Sequence, residues 1–336
     1  MIIDIITIYM FIKICIIEDT RMEEHMKPKV IINILVILIC VGIVVGLCFV
    51  YRALTTAEKE KLNTGTTAKE EVISNEPLYT LENYPIVDGS TATIPLAQAF
   101  EENFTGLSNL EIQHSKTHQA YTKLIDKEVD LILVVEPSED DKEYAASKGV
   151  ELELNKVVNE AFVFFINKDN PVESLTIEQI QKIYTGEITN WSEVGGNDAE
   201  IIAYQRPVNS GSQTAMENLV MQGLKLKEAT TEDIAHGMSD IIDVVSDYDN
   251  GANSIGYSYY YYANTMYLGE NIKMVSVEGV APSNKTIQKE EYPIMTAYYA
   301  VTRKDDTNEN TLKLLEAMLS PRGQKVVEKA GYVPVK

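Results

Sequence analysis

The chain has 336 residues, 45% hydrophobic and 24% charged, with a formal net charge of -21. Residues 1–52 carry as many basic as acidic groups, so the whole excess belongs to residues 53–336. So acidic a body excludes nucleic acid as a partner, since that binding works by neutralising phosphates, while a small anion held by a local cluster of N–H groups stays possible.

The three cysteines, Cys15, Cys40 and Cys48, all fall in the first 48 residues. The body therefore has no thiol nucleophile, thiolate zinc site or iron–sulfur ligand, as expected of a domain that works outside a cell without disulfides. Residues 30–51, "VIINILVILICVGIVVGLCFVY", are apolar except for Asn33. At the helical rise such a run crosses a hydrocarbon core of roughly 30 Å. Lys27 and Lys29 precede it and Arg52 follows, which puts the body outside by the positive-inside rule. The run reads as a retained single-pass signal anchor. A cleaved signal peptide and a lipoprotein at Cys48 are the alternatives. Residues 1–29 read as an over-extended start, with Met26 the natural beginning, or as a second membrane-interacting segment. Residues 52–78 are polar and aperiodic, a linker between membrane and body.

From Tyr79 onward, strand-like and helix-like segments alternate. "YPIVDGSTATIPLAQAFEENF" is a strand, a turn and a helix. "LEIQHS" predicts a strand and "THQAYTKLIDKEV" a helix. "DLILVVEP" and "AFVFFIN" are near-continuous apolar strands of the kind buried on both faces. "SLTIEQIQKIYTGEITNWSEVGG" holds a helix capped by Ser174 or Thr176, and the single tryptophan, Trp191. "EIIAYQRP" predicts a strand, "TEDIAHGMSDIIDVVSD" a helix, and "NSIGYSYYYYAN" a strand carrying an aromatic run. "YPIMTAYYAVTRK" is a strand, followed by two helices split at Pro321. This rhythm predicts an α/β fold with its binding loops at strand C-termini.

Two loops each follow an apolar strand and open a helix: Asp88–Thr93, "DGSTAT", and Arg206–Thr214, "RPVNSGSQT". Helix N-termini offer free N–H groups and a positive dipole end. Hydroxyls add donors, and Arg206 adds a forked cation suited to an oxyanion. The bland alternative is that these Ser and Thr residues only cap helices. Glu136, ending "DLILVVEP", could accept a proton from an oxyanion such as hydrogen phosphate, or be a solvated charge. His114 and His118 lack the HExxH pattern of a metal site. Tyr259–Tyr262 predict packing rather than a stacking platform. No G-x-S-x-G elbow and no P-loop lysine occurs, so neither a catalytic residue nor a cofactor is expected.

The blocks "VDGSTATIPLAQAF", "AFVFFINKDNPVESLTIEQIQKIYTGEITNWSEVGG" and "QRPVNSGSQT", in that order, resemble the PstS-type phosphate-binding proteins of phosphate ABC importers (periplasmic-binding-protein-like, type II). The resemblance covers about residues 80–336, and "IYTGEITNW" is its most specific part. It implies two α/β lobes joined by a two-strand hinge, with 79–162 plus 292–336 as lobe 1 and 163–291 as lobe 2. It implies a non-enzymatic protein that captures phosphate or a related oxyanion and presents it to an ABC permease, expected to be monomeric. The family's contacts map onto Thr93 and the Ile94 N–H, with Thr91 in the same loop. They continue to the region Ser115 to Thr117, to Glu136 as proton acceptor, to Arg206, and to Ser210, Gly211 and Ser212. Two departures stand out. Val208 occupies a position where the family commonly has aspartate, and the second loop carries Lys116. Both make the pocket less negative and leave sulfate, a phosphonate or another small acid open as ligand. A ligand sensor, or a degenerate adhesion or scaffold module on the same fold, are the rival readings, with a hydrolase using Ser210 or Ser212 behind them.

Overall fold

The computed structural model describes residues 76–246, 251–267 and 271–335, all within the second of two compact units, Ile73–Lys336. The apolar run 30–51, the segment before it and residues 52–75 of the linker lie outside the described residues. Among the described residues no helix is long and apolar enough to cross a membrane.

In chain order the elements are β1 (Val87–Gly89), α1 (Ile94–Thr105), α2 (Thr117–Ile125), β2 (Leu131–Val134), α3 (Glu139–Lys148), β3 (Leu152–Asn167), β4 (Ser174–Leu175), α4 (Ile177–Thr185), β5 (Ile202–Ala203) and α5 (Gly211–Ala215). There follow α6 (Met238–Ser246), β6 (Ser254–Tyr259), β7 (Ile272–Met274), β8 (Ser276–Val277), α7 (Asn284–Gln288), β9 (Met295–Arg303), α8 (Glu309–Leu319), α9 (Pro321–Lys329) and β10 (Val333–Pro334). The main sheet runs β1-β2-β9-β3-β6-β5, and β7 and β10 also pair with β3. β1 is parallel to β2, and β5 to β6.

β3 organises everything. Its residues Leu152–Ala161 pair with β9, and Phe162–Ile166 pair with β6. Its first residues are partly solvated, whereas every residue from Val157 to Asn167 is buried. That is why the sequence there becomes mostly apolar instead of alternating, with Asn159, Glu160 and Asn167 as buried exceptions. β9 runs beside its first part in the opposite sense, within a fold of two α/β lobes.

In the first lobe, α2 buries Ala120, Tyr121 and Leu124 against Ile132, Val134 and Val301 of the sheet. In the second, Phe162, Phe164, Tyr184 and Tyr257 form a ring cluster with centroids 5.4–6.1 Å apart. Such contacts add about 0.5–1.5 kcal/mol per pair to the burial itself. Helix ends follow the local code. Thr176 and Gln179 form a capping box at the start of α4, and Gly186 ends that helix at φ 81°. Pro321 opens α9 at a position where a missing N–H costs nothing.

Four expectations from the sequence change. The helix read from Thr231 begins only at Met238, after a short turn at Thr231–Asp233. Leu110–Ser115 is irregular rather than a strand, because β1 takes β2 as its neighbour and Ser115 is committed to Asp88. The aromatic strand ends at Tyr259, and from Tyr260 to Met266 the chain is helical. The strand leading to Arg206 is only Ile202–Ala203.

Candidate anion-binding site

A cavity of about 380 Å³ is lined from both lobes. Ser90, Thr91 and Ala92 come from the turn before α1, and Lys116, Thr117, His118 and Gln119 from the start of α2. Residues 206–212 bring Arg206, the loop after it and the start of α5, and His236, Gly237 and Met238 close one side. Three helical first turns therefore meet here, and the leading amides of a helix have no carbonyl partner within it.

Arg206 is the electrostatic centre. It is 7% exposed, and its Nη1 donates to the carbonyl oxygens of Ala235, at 2.8 Å, and Gly237. Its backbone N–H donates to Gln213 Oε1 at 3.1 Å and to the Tyr257 hydroxyl at 3.0 Å. Its Nε has no partner among the described residues, and no carboxylate there pairs with its guanidinium. Burial pulls its pKa down, yet a guanidinium stays cationic at neutral pH. Asp240 favours its charged form without pairing with it, but a buried cation beside a cavity is costly unless an anion completes it.

The lobes touch across this cavity. Asn209 Nδ2 donates to Asp140 Oδ2 at 2.7 Å. A Cβ on Gly211 would sit 2.8 Å from Thr117 Oγ1 and 2.9 Å from Val135 Cγ2, so the approach of α5 to α2 requires glycine. Gly211 is further fixed by the Tyr259 hydroxyl, which donates to its carbonyl at 2.6 Å. Ser210 caps α5 by accepting from Gln213 N–H at 3.3 Å.

Of the residues expected from sequence, Thr91, Thr117, Arg206, Ser210, Gly211 and Ser212 line the cavity. Thr93, Ile94, Ser115 and Glu136 do not. The Thr93 hydroxyl is buried, 2.7 Å from Leu133 O and 3.0 Å from Ser90 O, so it holds the loop. The Ile94 N–H donates to Thr91 O. Ser115 gives its N–H and its hydroxyl to Asp88, at 2.7 and 2.6 Å, and Lys123 adds a contact at 3.0 Å. These donors hold the Asp88 carboxyl below the usual carboxylate range against the opposing effect of burial.

Glu136 is exposed and accepts from the Tyr299 hydroxyl at 3.2 Å. The alternation of an extended chain explains its placement. Val135 faces inward against Gly211, so the next side chain turns away.

Sequence reasoning missed Ser90, His118, Asn209 and the His236–Met238 loop as cavity residues. Nothing local marks that loop; it reaches the cavity because its carbonyls clasp Arg206. His114 sits behind the first loop, 2.9 Å from Ser90 O through Nδ1. Burial lowers its pKa, so it is neutral at pH 7 and donates from Nδ1.

Residues 88–321 match the family model of the PBP superfamily domain. Among curated proteins the chain is 29% identical over 171 residues to the phosphate-binding protein PstS of Bacillus subtilis, covering 51% of this chain and 53% of that protein. A second PstS, from Borreliella burgdorferi, is 29% identical over 53% of this chain and 64% of its own length. The matched region thus spans only about half to two thirds of these relatives. Among solved structures, one described as a phosphate ABC transporter substrate-binding protein with bound phosphate, from Clostridium perfringens, superposes with TM-score 0.61 at 27% identity. It covers 74% of this chain and 98% of its own. An ABC-type phosphate transport receptor from Vibrio cholerae, at TM-score 0.56 and 20% identity over 74% of this chain and 98% of its own, shares the fold.

Proposed function

Because the chain belongs to the PBP superfamily, we propose that it is a solute-binding protein, without enzymatic activity, that captures phosphate or a related oxyanion between its lobes for an ABC importer. The observation that carries this reading is Arg206, a buried cation with an unpartnered Nε at a cavity ringed by three helical first turns. Relatives named as phosphate-binding proteins support it. The apolar run 30–51 supports tethering to the membrane with the acidic body outside. Ligand capture works by differential affinity. An anion that touches groups from both lobes stabilises the closed form alone, and so shifts the population toward it.

The ligand set proposed is Thr91, Thr117, Arg206, Ser210, Gly211 and Ser212, joined by Lys116. Calorimetric titration of the full chain in detergent with inorganic phosphate tests it. Arg206→Ala is expected to weaken phosphate by at least about a hundredfold, since a charge-assisted fork is worth about 2–3 kcal/mol or more. Binding that is unchanged in Arg206→Ala, or absent in the parent chain, would overturn the assignment.

A further inference from the structure

A further cavity, of about 400 Å³, lies on the second lobe and shares no lining residue with the anion cavity. One wall is β5, the outermost strand of the main sheet. On its inner side β5 is paired with β6: Ile202 lies beside Ser254, Ala203 beside Ile255, and the Tyr204 N–H donates to Ile255 O at 3.1 Å. On its outer side the partners are short segments. The Ile201 N–H donates to Thr189 O at 2.8 Å, and the Gln205 N–H donates to Asp233 O at 2.9 Å. Backbone groups of successive residues alternate sides along an extended chain, so the outward residue between Ile201 and Gln205 is Ala203. Thr189 and Asp233 both line the cavity, which is therefore the side that the Ala203 N–H and C=O face. Neither group has a hydrogen-bond partner among the described residues.

Unpaired groups on a strand edge are a template for another chain. Here Thr189 and Asp233 close the ladder on either side of Ala203, so a strand cannot run through and only the end of a chain can enter. Charge decides which end. The lining holds Glu200, Glu228, Glu232 and Asp233 against Lys227 alone. Asp233 accepts the Thr230 hydroxyl at 2.6 Å, and no basic side chain pairs with Glu200, Glu228 or Glu232 among the described residues. A terminal carboxylate is repelled by such a rim and an ammonium is attracted. The first residue of a peptide also matches Ala203 group for group. Its ammonium donates to the Ala203 C=O, and its own C=O accepts the Ala203 N–H. Ile183, Ile188 and Ile202 offer apolar surface to its side chain.

We propose that this cavity is a second binding site, for the free amino terminus of a peptide with an apolar first residue. The proposal is independent of the oxyanion reading. Calorimetry of the full chain in detergent, at low salt and near neutral pH, tests it with three probes: valyl-alanine amide, its N-acetylated form and free valine. The dipeptide amide is expected to bind with a dissociation constant of about 1 mM or tighter. Acetylation removes the charge and free valine adds a carboxylate, so each is expected to bind weaker by about tenfold or more. No heat from the dipeptide amide, or equal binding of either comparison probe, overturns the proposal. Ala203→Pro removes only the outward N–H, and an edge strand tolerates proline where that N–H faces outward. It is expected to weaken the dipeptide amide by about tenfold with an unchanged thermal melt. Should it fail to fold, Glu200→Gln combined with Glu232→Gln decides, with an expected loss of about fivefold or more. Full affinity in a folded Ala203→Pro, or in the glutamine pair, means attraction to the acidic body at large and overturns the proposal.

Discussion

Glu160 is a carboxylic acid inside the joint between the lobes. It is 2% exposed, lies on β3 opposite Thr296, and sits one residue before the pairing of that strand passes from β9 to β6. Its carboxyl accepts the Ala161 N–H at 2.8 Å and lies 3.4 Å from the Tyr261 N–H. No basic side chain pairs with it among the described residues. Burial pushes its pKa from the ordinary 4.5 up to about 8, against the lowering effect of those amides. The folded state therefore holds a proton that the unfolded chain releases between those values. The stability linked to that proton is fully present below pH 4.5 and is lost as pH rises through about 8. The gap corresponds to at most about 5 kcal/mol, and relaxation or water entry reduces it. Glu160→Gln keeps an oxygen for Ala161 and cannot ionise. Urea unfolding of both proteins, followed at about pH 5, 7 and 9, isolates the effect as the difference between them. The parent protein is expected to lose several kcal/mol relative to Glu160→Gln across that range. A difference constant to within about 1 kcal/mol would refute the reasoning and mean that Glu160 is ionised in the fold at neutral pH.

The other expectations concern closure and the second core. Gly211→Ala drives a methyl into Thr117 and Val135. It should weaken phosphate by about tenfold or more, a cost of about 1–3 kcal/mol, with little change in the unfolding of the ligand-free protein; calorimetry and thermal melts read the two effects. Trp191 is buried and its Nε1–H donates to Asn253 O at 2.8 Å. Trp191→Ala should cost about 3–5 kcal/mol in urea unfolding, and a loss under about 1 kcal/mol would show that this region is not part of the cooperative core.

Much of this was readable from residue order, because short-range rules govern it. The capping box of Thr176 and Gln179, the proline that opens α9 and the apolar run of β3 each follow from a few neighbouring residues. The loops at Thr91 and Arg206 were visible for the same reason: a strand, small hydroxyl residues, then a helix. Glu136 was not placed by that logic. Its position at a strand end is correct, but which way it turns depends on Val135 filling the gap beside Gly211, a residue of the other lobe. Leu110–Ser115 has strand composition and no strand partner, and its fate was decided by Asp88. The His236–Met238 loop reaches the cavity only through the three-dimensional course of the chain around Arg206.

The shared strand β3 also orders events in time. Every strand pairing of the second lobe lies between residues 162 and 277, so that lobe can assemble as soon as this stretch is available. The first lobe cannot. Its β9 pairs with β2 across about half the chain, and the Tyr332 hydroxyl donates to Ala92 O over a separation of 240 residues. Closing such long loops is entropically slow. A chain emerging N-terminus first would thus hold β1 and β2 without their neighbour β9 until the last segment arrives. During that interval the edge of β2 is open to pairing with any other extended chain, so this protein should depend most on chaperoning for the half that begins first and finishes last.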